Sequence, residues 1–491
     1  MPTTRPECRG GAWLATGVIF IAAALLLAWH AGAGTLFNGD DAVYAQFVRE
    51  MRRSGDLLAL RLDGVVLHQR PPLYPWLVYL STECFGEGLL ALRLPAILAA
   101  AGTAALVFRL GLRVTTPLAA GVAAALYPTA GLVFLYARST TSDTTLVFFI
   151  LLSMVLWLRG RVVLAGAALG AALMTKQVVG LMPLIAPAVT LVVGGRGAMP
   201  SLRRLLLGAG AALLVWAPWH GVMLARYGDA FVGGYIGENV LRRATSALLP
   251  ATSPAYYLEV LWRKESLPIL FALAGLGVIV WRLRAHWRER ESPRVELALL
   301  IAWPLAVLGA FSIVSSRIDY YALPAYPALA LLMALPVGAL EARRRSVARV
   351  LAVALVAAAA LLHLPERIAG LHLDPRMREL ADLASLVRTQ SAPGDELFVV
   401  DEFYLLPRWY SDRRTTMVVT DPAHHAQLVK LDLLRVPGTV VSWPASGLMS
   451  RLDQRPRWYA IVSAQRKVRL RPGQRVVVAG PTYTLYARDG R

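Results

Sequence analysis

The sequence predicts a polytopic all-α membrane domain of about eleven transmembrane helices, followed by a small soluble α/β domain. Three observations predict it. Of 491 residues, 56% are hydrophobic and 17% charged, and the mean hydropathy of +0.52 is too apolar for a chain that must wet its whole surface. Long apolar runs separated by short basic loops continue to residue 364. Beyond that point the pattern changes to short strand-like runs of a soluble kind.

In chain order, the apolar runs cover residues 11–33, 89–108, 116–133, 141–158, 162–175, 178–194, 205–224, 266–281, 295–314, 320–340 and 350–364. A bilayer core about 30 Å thick needs roughly 20 residues per helix. The fifth run covers only about 21 Å at ~1.5 Å per residue, so the fourth and fifth make either two spans or one re-entrant hairpin. Sidedness is the same either way. The length of the first run marks it as a retained anchor, although Ala31 and Ala33 offer a small-residue pair after it.

Arginines set the orientation, because basic residues accumulate in cytoplasmic loops. Arg109 and Arg113, Arg159 and Arg161, Arg203 and Arg204, and the run from Arg343 to Arg345 all fall in alternate loops on the side of the N-terminus. Residues 34–88 and 365–491 then lie outside the cytoplasm. The net charge of +20 is a topology signal and a grip on anionic membrane lipids, which removes nucleic acid as a partner. Cys8 and Cys84 fall on opposite faces and indicate no redox or metal chemistry.

Three regions follow: a membrane domain over 1–364, an external loop within it over 34–88, and an extracytoplasmic α/β domain over 365–491. In the loop, Tyr44, Phe47, Val48 and Met51 recur at helical spacing opposite Arg49, Glu50, Arg52 and Arg53, which predicts an interfacial helix over 40–53. A second helix starts at Pro71 and Pro72 and runs through Trp76 and Tyr79. In the membrane body, Gly166 and Gly170 have the four-residue spacing that lets helices approach closely. The last domain reads as a helix over 375–390, strands at 396–400, 416–419, 440–443, 458–462 and 476–478, and a helix near 423–435.

The polar residues that bear chemistry gather on the external side. Asp40 and Asp41 follow the first span directly. Adjacent carboxylates push each other's proton affinities apart, so one can take a proton from an acceptor hydroxyl while its neighbour orients it or holds a cation. The plainer reading is that Asp40 caps the following helix. Arg70, Arg138, Asp143, Lys176, His220, Glu238, Arg317 and Tyr320 come from loops or span ends far apart in sequence but on one face. Several cations converging there suit a phosphate or pyrophosphate. Each taken alone also reads as a snorkelling or headgroup-contacting side chain, and His220 as a satisfied interfacial histidine.

These residues fall in a recognisable order. Asp40-Asp41, Tyr44-Ala45, Gly55-Asp56, Arg70-Pro71-Pro72-Leu73 with Trp76-Leu77, and Arg93-Leu94-Pro95 resemble the first loop of aminoarabinose lipid A transferases. Those enzymes are relatives of protein O-mannosyltransferases, with the C-type glycosyltransferase fold. The likeness continues through Ala137-Arg138 with Asp143, Thr175-Lys176, Pro218-Trp219-His220, Glu238-Asn239 and Arg317 to Pro324, covering about 11–340.

The resemblance implies an inverting transfer of a sugar from a polyprenyl-phosphate carrier to a glycolipid, glycan or protein acceptor at the external leaflet of a bacterial inner membrane. By matching positions, Asp40 and Asp143 are its catalytic carboxylates and Arg70, Lys176 and Arg317 its phosphate-binding cations. Asp41, adjacent to Asp40, joins the carboxylates, Arg138 and Tyr320 on the same outer face join the donor-phosphate set, and Glu238 is a further site residue. His220 matches a metal-holding histidine, which leaves a divalent metal open as a cofactor. The chain departs from the family in having Asp-Asp for Asp-Glu, Arg70 for a lysine, and Gln69 where a glutamate is common, which removes a metal ligand.

Three other functions fit parts of the pattern. A flippase or transporter of lipid-linked sugar would also want external cations, but predicts ionisable groups near mid-membrane, where the spans carry few. A pyrophosphate-donor oligosaccharide ligase differs only in its donor. A membrane-anchored assembly protein would leave the polar residues dispensable.

Overall fold

Helices form where long apolar runs place them, and strands where short runs rich in β-branched and aromatic residues replace them. The computed structural model describes residues 6–37, 39–242, 253, 255–265, 268–286, 294–372, 374–428, 439–466 and 470–488. The chain divides into two units, one of Met1–Gly32 with His68–Ile368 and one of Ala33–Leu67 with Ala369–Arg491.

The first unit is helical. Its helices are α1 (Pro6–Ala28), α3 (Leu73–Phe85), α4 (Leu89–Val114), α5 (Pro117–Thr129), α6 (Gly131–Ala137), α7 (Asp143–Leu158), α8 (Val162–Lys176), α9 (Ile185–Gly194) and α10 (Leu202–Val232). They continue with α11 (Tyr256–Glu265), α12 (Pro268–His286), α13 (Arg294–Ile313), α14 (Tyr326–Glu341) and α15 (Arg345–His372). Among the described residues six helices are long and apolar enough to cross a membrane, or up to eight if each of two bent pairs is one span. The stretch Val162–Gly194 counts once in that tally, and α7 is short at 16 residues. Leu14, Val18, Ile21 and Leu25 on α1 and Leu206, Leu213 and Leu214 on α10 are exposed, as in a unit whose solvent is lipid.

The expected small-residue packing is present. A Cβ on Gly166 would lie 1.9 Å from the Gly208 carbonyl oxygen, and one on Gly170 would lie 2.6 Å from that of Ala212. Two successive rows of α8 thus let its backbone press against α10.

The second unit holds α2 (Asp40–Ser54) and a six-stranded sheet. Residues 40–53, expected to lie in the membrane interface as an amphipathic helix, are instead buried along almost the whole helix. The polar face is taken up inside the unit. The Arg49 guanidinium lies 3.5 Å over the Trp409 ring and donates to the Trp409 carbonyl at 2.7 Å. Glu50 accepts from the Asp63 and Gly64 amides at 2.7 and 3.0 Å, holding a two-residue turn between β1 (Arg61–Leu62) and β2 (Val65–Val66). Asp63 and Gly64 both have positive φ, the geometry that hairpin turns favour. Residues 33–67 cluster with the C-terminal segment and residues 68–88 with the helical unit, while the sequence assigns 34–88 as one loop within the membrane domain.

The large sheet has the order β5-β4-β3-β6-β8-β7. Its strands are β3 (Glu396–Val400), β4 (Thr415–Val419), β5 (Val440–Ser442), β6 (Trp458–Ser463), β7 (Gln474–Ala479) and β8 (Tyr483–Arg488). The first four in that order are parallel, and β8 and β7 add antiparallel. Leu397, Val399, Ile461 and Leu485 face α16 (Pro375–Gln390) on one side. Phe398, Val400, Val418 and Trp458 pack on α19 (Leu448–Leu452) on the other. Burial of both faces is what a parallel sheet requires. Between β3 and β5 lie α17 (Leu405–Ser411), absent from the sequence expectation, and α18 (Pro422–Leu428), where the helix near 423–435 was expected. Residues 429–435 lie outside the described residues.

Candidate active site

Two helices of nearly equal length build the centre of the site in the helical unit. The turn Arg159–Arg161 joins α7, of 16 residues, to α8, of 15, and Gly160 takes a left-handed conformation there (φ 70°). Antiparallel neighbours of about 22–24 Å must finish level, which brings Asp143 at the start of α7 beside Lys176 at the end of α8. The helix dipoles favour a carboxylate at the first place and a cation at the second. Lys176 Nζ lies 2.5 Å from Asp143 Oδ1. The ammonium also faces the rings of Tyr320 and Tyr321 at 4.6 and 5.7 Å, and Tyr320 stacks edge-on against Tyr136. With 25% of its side chain exposed, Lys176 remains reachable, whereas Asp143 is at 7%.

A second group lies on α10. His220 Nδ1 donates to the Trp216 carbonyl at 2.7 Å, so Nε2 is the acceptor for the Tyr235 hydroxyl at 2.7 Å. The ring stacks on Trp216 at 4.1 Å. Both nitrogens are thus occupied, and among the described residues no group of three His, Cys, Asp or Glu side chains could hold a metal ion. Among the described residues the donors around His220 do not make the divalent-metal site that this histidine suggests. Glu238 lies in the helical turn Gly233–Arg242, with its side chain outside what the structure describes.

Gln177, an uncharged residue with no signal in the sequence, connects these parts. Its Nε2 donates to the Gln69 carbonyl at 2.6 Å and the Tyr235 carbonyl at 3.3 Å. Gln69 is joined to Arg70, which is half-buried just ahead of α3.

Two other expected cations are turned to main-chain carbonyls. Arg138, buried over Phe134, donates through Nη1 to the Trp29 carbonyl at 2.6 Å, while Arg93 Nη1 takes the Ala31 carbonyl at 2.6 Å. The pair clamps the end of α1. Arg317 donates to the Ser253 carbonyl and, at 2.8 Å, to that of Ser312 near the end of α13. Buried Glu265, also unforeseen, accepts from the Gly131 amide at 2.8 Å and the Tyr326 hydroxyl at 3.0 Å, fixing the start of α6.

In the second unit the two adjacent carboxylates differ. Asp41, at 1% exposure, accepts from the Phe37 amide at 2.9 Å and closes the loop before α2. Asp40 is half-buried in the first helical turn, and Gly39 rather than Asp40 occupies the cap.

The dolichyl-phosphate-mannose-protein mannosyltransferase family matches residues 69–221, a stretch that includes Arg70, Asp143, Lys176 and His220. An undecaprenyl phosphate-alpha-4-amino-4-deoxy-L-arabinose arabinosyl transferase of Edwardsiella ictaluri is 28% identical over 311 residues, 61% of this chain and 55% of its own length. The chain is similar to aminoarabinose transferases. It spans just over half the length of the curated relatives it matches. Among solved structures, ArnT from Cupriavidus metallidurans bound to undecaprenyl phosphate superposes with a TM-score of 0.71 at 22% identity, covering 96% of this chain and 97% of that one. The apo oligosaccharyltransferase of Archaeoglobus fulgidus gives 0.59 at 12% identity, covering 92% and 70%. These likenesses establish the C-type glycosyltransferase fold.

Proposed function

We propose that this chain is a multi-pass glycosyltransferase that moves a sugar, most simply a pentose, from a polyprenyl-phosphate carrier to an acceptor at the external leaflet, with lipid A modification as its setting. The single observation that carries the reading is the Lys176–Asp143 pair at the level ends of two antiparallel helices, in a fold whose relative binds undecaprenyl phosphate. In this reading the chain crosses the inner membrane about eleven times, with residues 34–88 and 365–491 outside.

The acceptor hydroxyl attacks the anomeric carbon from the face opposite the carrier, so a C–O bond forms as the bond to the carrier phosphate oxygen breaks, with inversion. The acceptor proton passes to Asp40, and polyprenyl phosphate departs with the bonding pair. Charge building on that phosphate needs cations more than an acid, and Lys176 and Arg70 supply them. Asp143 holds the Lys176 ammonium in place. Arg138 and Arg317 keep the surrounding helix ends.

Mass spectrometry of envelope glycolipids and glycoproteins, with and without the chain, tests the function. A mass increment of one sugar on a lipid A species, lost on deletion and restored by the wild-type chain, is the expected result. Unchanged glycolipids and glycoproteins overturn it.

A further inference from the structure

The backbone at Gln177 is of a kind that glycine adopts easily and other residues resist, with φ 41° and ψ −134°. It is needed because the chain reverses there: the 3-10 stretch Gln177–Leu184 folds back on α8 so tightly that a Cβ on Gly180 would lie 2.4 Å from the Leu173 nitrogen. Lys176 sits at the apex of that reversal. A glycine at 177 would make the turn without strain, yet this chain places a buried glutamine there, 8% exposed.

The side chain supplies what a glycine would not. Its carboxamide nitrogen reaches the carbonyl of Gln69, next to Arg70, and the carbonyl of Tyr235, whose hydroxyl is bonded to His220. One amide group thus ties the Lys176 apex to two segments 108 and 58 residues away. We propose that Gln177 is a positioning residue that sets Arg70 against Lys176, so that the two cations grip one phosphate. This rests on the reading that these cations hold a polyprenyl phosphate.

The test uses the full chain in liposomes, with polyprenyl phosphate alone for binding and a polyprenyl-phosphate sugar for transfer. Gln177→Gly relaxes the backbone and deletes the clamp. It should melt no lower than wild type, yet bind polyprenyl phosphate at least about tenfold more weakly and lose kcat/KM for the donor by a similar factor. Gln177→Glu sets a carboxylate against two carbonyls and should fall further, whereas Gln177→Asn should recover part of the binding. If Gln177→Gly binds and transfers as well as wild type, the clamp is overturned and the function stands. If wild type binds no polyprenyl phosphate, the functional reading falls and the clamp with it.

Discussion

Lys176 and Asp143, 33 residues apart in sequence, form an ion pair of 2.5 Å at the shared end of α7 and α8. Breaking a buried pair from one side leaves a charge without its partner and costs about 3–5 kcal/mol where burial is complete, less here because Lys176 is partly exposed. Lys176→Met and Asp143→Asn should each lower Tm in detergent and reduce transfer about 100-fold. The double variant should regain most of the stability and none of the activity. An active double variant would show that the pair is architectural only.

Asp40 and Asp41 should separate into chemistry and structure. Asp40→Asn should keep the fold and lose transfer, because an amide fits the space but cannot take the acceptor proton. Asp41→Asn weakens the bond to the Phe37 amide and should lower stability by about 1 kcal/mol while retaining measurable transfer. Thermal melts alongside turnover of both variants decide it, and near-normal turnover in Asp40→Asn removes it from the site.

The second unit carries a pH signature. Desolvation alone would raise the Asp412 pKa, but the Arg53 hydrogen bond and the charges of Arg49, Arg53 and Arg408 outweigh it and hold it below 3.8. A carboxyl whose folded pKa is depressed stabilises the fold above its unfolded value, and that contribution is lost as pH falls through the folded pKa. Asp412→Asn should therefore melt below wild type at pH 7, with the gap closing at pH values under 3.8. A gap independent of pH would assign the loss to packing.

Orientation is open to a native probe. Cys84 is exposed, one residue before the end of α3, on the face assigned to the outside. In intact cells carrying Cys8→Ser, a membrane-impermeant maleimide should modify Cys84 without prior permeabilisation. Modification only after the inner face is opened reverses the topology.

Much of this was legible in the sequence because the signals were local. A lone lysine closing one apolar run and a lone aspartate opening another marked Lys176 and Asp143, and the short apolar run Glu396–Val400 marked a central strand. The direction in which a guanidinium points is not local. Arg138 and Arg317 have the composition of phosphate ligands, but helix ends brought near by tertiary packing take their hydrogen bonds. Gln177 bears no charge and follows no turn signal, so neither its positive φ nor its two distant carbonyl partners could be read from the sequence. The affiliation of residues 33–67 was equally hidden, since it depends on contacts such as Arg49 with Trp409, 360 positions apart.

Transfer by the purified chain in liposomes, from a defined polyprenyl-phosphate pentose to lipid A, tests the central claim most directly. Wild type should release polyprenyl phosphate and glycosylate the acceptor with inversion, Arg70→Lys should keep part of that activity, and Arg70→Ala should lose it about 100-fold. Movement of the donor across the bilayer without transfer, a requirement for a pyrophosphate carrier, or equal activity of wild type, Arg70→Lys and Arg70→Ala would contradict the account.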